Sequence, residues 1–270
     1  MSDVPSSPYE DSTAATIYAR ITAPAQFAAP ARDLVEMLQP SAGMKILDVG
    51  TGTGTVAEPI LSAVGNPPRL VGVDASLEML HIGRQALTYP VVAGRLPHLP
   101  FRDESFDLVT AGFVVSHVAS YADALTDIAR VCRRGGRFGM SAWGSLPNAA
   151  AQTWTEIASQ FVPRRDLDDA FRAHIPWDGW FSEPSNIERA LTDATFVAVR
   201  LDTRTYRVRM PVENFLASRE ASIQGAILRE RLTPARWVTF KAAVANEFDQ
   251  RFGAVVEYER DVRFGIGTKR

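Results

Sequence analysis

The residues of this chain that are best suited to bind a ligand are glycines and acids in residues 44–60, which read MKILDVGTGTGTVAEPI. Glycine alternates with threonine through GTGTGT, and Asp48 stands two residues before the first glycine. A second acid, Asp74, ends the apolar run RLVGVD. Glycines spaced this closely allow a backbone to turn tightly around a ligand, and the spacing narrows the choice of that ligand.

Two common phosphate-binding motifs do not match this loop. A P-loop needs a lysine followed by serine or threonine after its second glycine, and no lysine occurs between Lys45 and Lys241. A nicotinamide-dinucleotide fingerprint needs G-x-G-x-x-G, but Gly54 comes one residue early and Thr55 fills the expected position. Asp74 could still bind two ribose hydroxyls. The pattern predicts an adenosine ligand without a pyrophosphate, in preference to a glycine turn that only packs helix against strand.

Four sequence blocks resemble the motifs of S-adenosylmethionine-dependent methyltransferases with the doubly wound fold. They are LDVGTGTGT, VGVDASLEML, LPFRDESFDLVTAGFVVSHV and ARVCRRGGRFGMSAW, in the family's order over about residues 44–143. The sequence is most similar to small-molecule methyltransferases of quinone and natural-product biosynthesis. The resemblance implies S-adenosylmethionine as cofactor, S-adenosylhomocysteine as its product, and a small-molecule acceptor.

The resemblance also implies which residues bind the cofactor. Asp48 would help to hold the methionine ammonium group, and Asp74 would take the ribose hydroxyls. The other implied cofactor-binding residues are Tyr18, Gly50, Thr51, Gly52, Ala75, Ser76, Met79, Gly94, Arg95, Leu96, Ala111, Gly112 and Phe113. One residue departs from the family pattern, because Arg95 stands where an acid usually accepts a hydrogen bond from the adenine amine. Arginine cannot accept, so backbone groups, stacking and a guanidinium over the ring would hold the adenine.

Methyl transfer from a sulfonium depends mainly on positioning, and a base is needed only if the acceptor keeps its proton. His117 is the candidate base, because it follows the fourth predicted strand and an ordinary histidine pKa of about 6.5 suits the role. The alternative is a histidine that packs at a helix start. His174, in AHIPWDGW, is interpreted as structural. The four histidines and the single Cys132 show no metal-ligand spacing, so no metal is predicted.

These residues need elements that place them at one edge of a sheet. Alternating apolar and amphipathic segments predict an α/β fold, a doubly wound, mostly parallel, seven-stranded Rossmann-like sheet. Such sheets bind ligands outside the carboxyl ends of their strands, where the strand order reverses. Strands are predicted at 45–49, 69–74, 91–93, 106–111 and 137–142, and helices at 15–38, 53–64, 76–87 and 121–131.

The second half of the chain is predicted to continue the same domain. It reads as a helix over 186–193, a long strand or strand pair over 196–210, helices over 211–252 and a strand over 254–269. Trp154, Trp177, Trp180 and Phe181 predict an aromatic insertion over the ligand edge, as a lid or as the core of a helical cap. We therefore expect a flexible segment 1–14 and one methyltransferase domain 15–270. Its cofactor-binding core covers about 44–143, and its substrate cap about 147–190 and 211–252.

Composition limits the class of protein. The chain has 270 residues, 46% hydrophobic residues and a net charge of -2, as expected for a soluble globular protein without a nucleic-acid surface. An apolar run of about 18 residues is missing, which predicts no membrane span, and the single cysteine favours a reducing, cytoplasmic location. The sequence does not indicate an oligomeric state. A protein of the same fold and cofactor site that does not methylate remains the alternative function, and a nicotinamide-dependent dehydrogenase is a distant third.

Overall fold

Seven strands form a single sheet in the computed structural model, which describes residues 8–65, 69–84 and 87–270. The strand order across the sheet is β3-β2-β1-β4-β5-β7-β6. The strands are β1 (Lys45–Val49), β2 (Arg69–Asp74), β3 (Val91–Ala93), β4 (Phe106–Gly112), β5 (Cys132–Trp143), β6 (Phe196–Pro211) and β7 (Val255–Lys269). The fold class predicted from the sequence is confirmed.

The sheet is parallel from β3 to β5 and antiparallel at its far edge. Strand β1 lies between β2 and β4 and pairs in parallel with both. Strand β7 runs antiparallel between β5 and β6. Because helices cover both faces of the parallel part, β1 and β4 are buried along almost their whole length. The strand order reverses at β1, so the carboxyl ends of β1, β2 and β4 form the edge where ligands bind in this class of fold.

Thirteen helical segments of at least four residues are present among the described residues. They are α1 (Ser12–Ile17), a π-helix (Tyr18–Phe27), α2 (Ala28–Leu38), α3 (Ala57–Val64), α4 (Leu77–Gly83), α5 (Tyr121–Val131), α6 (Ala149–Ala158), α7 (Arg164–His174), α8 (Asp178–Phe181), α9 (Pro184–Asp193), α10 (Val212–Glu220), α11 (Ile223–Arg231) and α12 (Pro234–Phe252). Short 3-10 turns cover Pro8–Glu10 and Val115–His117. None of these helices combines the length and the apolar character needed to cross a bilayer.

Several helix ends follow from side-chain caps that the sequence contains. The Ser76 hydroxyl accepts from the backbone N–H of Met79 at 3.1 Å and starts α4, as predicted. Ser120 and Asn148 cap α5 and α6 in the same way. Helix α4 ends at Gly83, and the predicted extension to Leu87 crosses residues 85–86, which lie outside the described residues.

Several element boundaries differ from the sequence expectation. Helix α3 begins at Ala57 instead of residue 53, because residues 52–56 are taken up by turns of the glycine loop. Strand β5 begins at Cys132, five residues early, and its register with β4 shifts before Arg137. Helix α1 begins at Ser12, three residues earlier than the pattern indicates. Residues 196–210 form one long strand, β6, ending at Pro211, and not a strand pair.

The aromatic residues of the predicted insertion belong to two different cores. Trp154 is fully buried against Phe240 in a cluster built from the helices of the second half. Trp177, Trp180 and Phe181 instead pack around Tyr121 of α5, on the core of the sheet. All four aromatic side chains therefore contribute to a core.

Candidate cofactor-binding site

A cavity of about 430 Å³ opens at the carboxyl ends of β1, β2 and β4, where the fold predicts a ligand site. Twelve of the fifteen predicted cofactor-binding residues line it, as does the candidate base His117. The twelve are Tyr18, Gly50, Gly52, Asp74, Ala75, Ser76, Met79, Gly94, Arg95, Leu96, Gly112 and Phe113. The structure therefore brings together residues that are up to 95 positions apart in the chain (Tyr18 to Phe113).

Asp74 ties the glycine loop to the start of α4. Its Oδ2 accepts from the backbone N–H of Gly52 at 2.8 Å, and its Oδ1 accepts from that of Ser76 at 2.8 Å. Burial raises the pKa of Asp74, while the N–H groups of Ser76, Gly52 and Ala75 lower it. An ionised carboxylate has about four lone-pair sites, so each oxygen can still accept from a further donor. This geometry suits a pair of neighbouring hydroxyl groups.

The glycine loop turns its backbone toward the cavity without side chains in the way. Gly50 and Gly52 have φ angles of +66° and +53°, in the left-handed region that favours glycine. A Cβ at Gly50 would lie 2.2 Å from a methyl group of Val114, and one at Gly52 would lie 3.3 Å from the Met79 methyl. A side chain at Gly50 would therefore clash with Val114, and a side chain at Gly52 would be strained by its left-handed backbone.

Three predicted cofactor-binding residues do not line the cavity. Asp48 is 1% exposed in β1, Thr51 directs its hydroxyl to Tyr89 at 2.9 Å, and Ala111 is fully buried in β4. The motif gives their place in the chain, but the alternation of a strand turns Asp48 and Ala111 inward. Any contact of Asp48 with a ligand would have to be indirect.

Asp48 nevertheless puts an uncompensated carboxylate beneath the glycine loop. Its Oδ1 accepts from the Thr110 hydroxyl at 2.7 Å, whereas its buried Oδ2 has no partner within the described residues. Burial raises the pKa of Asp48 to about 6, although the Thr110 and Thr51 hydroxyls act in the opposite direction, and nearby Asp74 raises it further. The carboxylate would be stabilised by a cation or a water brought in with a ligand.

The N-terminal segment covers the cavity from the solvent side. Tyr9, Glu10 and Phe27 line the cavity beside the predicted Tyr18. The Ser76 hydroxyl donates to the carbonyl oxygen of Tyr9 at 2.6 Å and fixes the segment to α4. The rings of Tyr9 and Tyr18 lie 5.8 Å apart, edge to face. Sequence reasoning missed Tyr9, Glu10 and Phe27, because only tertiary packing brings them over the site.

His117 ends the 3-10 turn after β4, with its ring exposed to the cavity. The surrounding cavity walls desolvate the ring and lower the pKa of His117 to about 4, and the charge of His174 acts in the same direction. The imidazole is therefore neutral at pH 7. His174 does not line the cavity; its Nδ1 lies 2.8 Å from the Ala170 carbonyl oxygen, so assigning the proton to Nδ1 leaves its buried Nε2 as an unpartnered acceptor.

One side of the cavity is built from residues that were not among the predicted cofactor-binding residues. Trp143, Ile175 and Asp178 line it, together with Ser116, Val118 and Ala119. The Trp143 ring lies 4.3 Å from that of Phe113 and 5.2 Å from that of Phe27. Trp143 ends β5 and could have been found from its position at a strand end, whereas Asp178 carries no sequence signal.

The loop after β3 is held in place by an ion-pair network. Asp127 Oδ2 accepts from the backbone N–H groups of His98 and Leu99, both at 2.6 Å. Arg130 bridges Asp127 to the carbonyl oxygens of Leu99 and Phe101. Arg95 lines the cavity in this loop and is exposed. The structure thus keeps a cation where the family pattern has an acid.

The part of the chain that the structure describes contains no cluster of three or more histidine, cysteine or carboxylate side chains that could hold a metal ion. The carboxylates that line the cavity are Glu10, Asp74 and Asp178. The site is therefore organised around backbone groups, acids and aromatic rings.

Residues 47–140 match the family model described as "Methyltransferase domain", and residues 2–90 match that of protein-L-isoaspartate(D-aspartate) O-methyltransferase. The chain is 40% identical over 98 residues to demethylmenaquinone methyltransferase of Staphylococcus aureus, covering 35% of this chain and 41% of that protein. It is 39% identical over 123 residues to the protein of the same name from Mycobacterium sp. strain JLS, covering 45% of this chain and 52% of that protein. The chain spans about half the length of the curated relatives that it matches.

Solved structures share the fold over most of the chain. A putative methyltransferase from Bacillus halodurans superposes with a TM-score of 0.57 at 17% identity, over 89% of this chain and 99% of that one. The YcgJ protein from Bacillus subtilis gives a TM-score of 0.55 at 16% identity, over 90% of this chain and 99% of that one. At such identities the likeness concerns the fold alone. The chain is therefore similar to methyltransferases over residues 47–140, and it shares the fold of solved methyltransferase structures.

Proposed function

We propose that this protein transfers the methyl group of S-adenosylmethionine to a small quinol-type acceptor and releases S-adenosylhomocysteine. The observation that carries the proposal is the Asp74 carboxylate, held by the backbone N–H groups of Gly52 and Ser76 at the edge of the cavity. The names of the relatives, which include demethylmenaquinone methyltransferases, support a quinol-type acceptor.

The residues at the cavity fit the proposed cofactor in two independent respects. Among the described residues the buried Asp48 Oδ2 lacks a partner, as expected of a group that acts on an ammonium through water or backbone. A side chain at Gly50 would meet Val114, and one at Gly52 would meet Met79, and both of these neighbours line the cavity. In this proposal Asp74 binds the ribose hydroxyls, and Met79 and the 94–96 loop hold the adenine. Tyr18 and Phe113 then lie on the methionine side.

Bound S-adenosylmethionine supplies a methyl group that is already activated on a positively charged sulfur. The protein's part is to orient the acceptor and to exclude water. Phe27, Phe113 and Trp143 pack against one another along the cavity wall and provide a rigid apolar surface for a flat ring. Holding donor and acceptor in a near-attack geometry can supply roughly 7–11 kcal/mol of the barrier.

His117 can take a proton from the acceptor, but only weakly. A ring with a pKa of about 4 is neutral at pH 7 and offers one nitrogen as an acceptor. Complete proton transfer from the acceptor to His117 is therefore weakly driven, because effective bases have a pKa near the working pH. The proposal therefore favours an acceptor whose own hydroxyl is acidic, such as a quinol, with His117 accepting a hydrogen bond from it.

The test is turnover with a panel of acceptors. The purified protein is incubated with S-adenosylmethionine and reduced naphthoquinols or benzoquinols under anaerobic conditions, and S-adenosylhomocysteine is quantified. Acceptor-dependent product is expected with the wild type, and much less product with Asp74→Ala when the S-adenosylmethionine concentration is limiting. Cofactor binding without product across the panel would favour the alternative, a protein of the same fold that does not methylate. A cytoplasmic location and the lack of a nucleic-acid partner remain predictions from composition.

A further inference from the structure

Two arginines that form no ion pair within the described residues are linked to the Trp143 side of the cavity, although neither of them lines it. Arg219 lies in the last turn of α10, and Arg260 lies in β7. Arg260 Nη1 donates to the Gln26 side-chain oxygen at 2.9 Å, and Arg219 Nη2 donates to that of Gln224. The buried Nε of Arg219 has no hydrogen-bond partner among the described residues.

Arg260 is connected to the cavity through Trp143. Its guanidinium carbon lies 3.3 Å from the centroid of the Trp143 ring, and that ring lines the cavity. Burial lowers the pKa of Arg260, whereas the neighbouring Tyr258, Asp178 and Asp261 raise it, and Asp178 also lines the cavity. Because side chains two apart in a strand share a face, Tyr258 lies on the same side of β7 as Arg260.

Arg219 reaches the same cluster from the helical second half. Its guanidinium carbon lies 5.9 Å from the Trp154 ring, and the charge of Arg260 lowers its pKa. Both arginines are half-buried, and burial lowers the pKa of each to about 10. Each guanidinium therefore remains charged at pH 7 although it is partly removed from water.

The carboxylates near the cluster do not neutralise these two charges. Asp261 is committed to Arg263 at 2.8 Å and to the backbone N–H of Leu146 at 2.9 Å. Asp178 is left as one negative charge against two positive ones, and burial raises its own pKa. A buried cation without a counter-ion costs free energy, so an anion that enters with a ligand would be strongly favoured here.

We propose that Arg219 and Arg260 bind an anionic oxygen of the methyl acceptor, a carboxylate or a phenolate, at the Trp143 side of the cavity. Tyr258 and Gln26 supply neighbouring polar groups, and the indole of Trp143 supports the ring that carries the oxygen. Arginine suits this role because its planar fork makes charge-assisted hydrogen bonds to oxygen anions. The inference rests on the proposed function and specifies its acceptor as an oxygen anion.

The experiment measures binding of matched anionic and neutral probes to the protein saturated with S-adenosylhomocysteine. The carboxylate pair is 1-hydroxy-2-naphthoate and its methyl ester, and the phenolate probe is 4-nitrophenol titrated at pH 6 and pH 8.5. We expect the charged form to bind at least tenfold more tightly than the neutral form in one of these two comparisons. The comparison that shows this preference identifies the oxygen anion as a carboxylate or as a phenolate. Arg219→Met and Arg260→Met should each abolish that preference.

Controls separate this proposal from the proposed function. Arg209→Met removes an exposed arginine of β6 that faces Glu257, and it should keep the preference for the anion. Melting curves identify variants that fail to fold, and Arg260→Gln serves as the second variant. S-adenosylhomocysteine affinity should stay within twofold in every variant. If the wild type fails to bind S-adenosylhomocysteine, the proposed function itself fails.

Three results would overturn the anion site. One is a wild type that binds S-adenosylhomocysteine but neither anion more tightly than its neutral form. Another is a preference for the anion that survives both arginine substitutions. The third is a tenfold loss of S-adenosylhomocysteine affinity in the arginine variants, which would assign the two arginines to the cofactor's own carboxylate.

Discussion

Replacing Asp48 by asparagine should stabilise the ligand-free protein while weakening its cofactor site. Asp48 is 1% exposed, its Oδ2 has no partner in the described part of the chain, and burial raises its pKa from 3.8 to about 6. That shift of about 2 pKa units corresponds to roughly 3 kcal/mol spent on keeping the buried carboxylate ionised at neutral pH. Asparagine has nearly the same shape and can still accept from the Thr110 hydroxyl.

The net gain is smaller than the full ionisation cost. The asparagine amide brings N–H donors, and leaving one unsatisfied costs about 1–3 kcal/mol. We therefore expect Asp48→Asn to raise the free energy of unfolding by up to about 2 kcal/mol at pH 8. For a chain of this size that is a rise of up to about 8 °C in the melting temperature. The matched control is Asp249→Asn on the exposed face of α12. It should change neither the free energy of unfolding nor the melting temperature.

The pH dependence gives the sharper test. A carboxyl group whose pKa is raised by folding contributes stability below its unfolded pKa, and that contribution is lost as pH rises through the folded pKa. The difference in free energy of unfolding between Asp48→Asn and the wild type should therefore be smallest near pH 4. It should grow up to about pH 6 and stay constant above pH 7. Chemical denaturation at several pH values measures it. A variant that is less stable than the wild type at pH 8, or a difference independent of pH, would refute the reasoning.

Three further predictions concern the same cavity. Asp74→Ala should weaken S-adenosylhomocysteine binding by about 1–3 kcal/mol in a calorimetric titration, because it removes the acceptor of two ribose hydroxyls, and unchanged affinity would refute the ribose assignment. Gly52→Val should abolish that binding, since the position has φ +53° and its Cβ already approaches Met79; a folded variant that binds normally would contradict the loop assignment. The His117 ring should remain neutral when the ligand-free protein is titrated by NMR from pH 8 to pH 5, because the pKa of His117 is lowered to about 4, and an inflection near pH 6.5 would contradict its desolvation.

The sequence predicts the first half of the molecule well, because local patterns and global topology agree there. Strands β1, β2 and β3 and helix α5 have the predicted bounds. The glycine loop and Asp74 follow strand ends, and parallel strands bring their carboxyl ends to one edge. A motif that fixes positions along adjacent strands therefore also fixes a site in space.

The orientation of individual motif residues was less predictable. Asp48 and Ala111 belong to the motif positions, yet the pleat of β1 and β4 turns them into the core. Thr51 packs under the loop and bonds to Tyr89, a residue 38 positions away. Sequence spacing identifies the segment that meets a ligand, but the direction of a side chain depends on which face of the sheet each neighbour covers.

The acceptor side of the cavity could not be predicted from local patterns. Trp143, Asp178 and Arg260 come together from β5, α8 and β7, and no spacing rule joins them. The N-terminal cover, with Tyr9 and Phe27, also depends on docking against α4 and the rings around Trp143. Such long-range contacts depend on tertiary packing and leave no periodic signal in the sequence.

The central claim is that the glycine loop and Asp74 form a site for S-adenosylmethionine. Isothermal titration calorimetry of the purified protein with S-adenosylmethionine and S-adenosylhomocysteine, with NADH as control, tests it most directly. The account predicts micromolar binding of the first two compounds and none of NADH. Absence of binding of either compound at millimolar concentration would contradict it, and would mean that the cavity at the ends of β1, β2 and β4 serves another ligand.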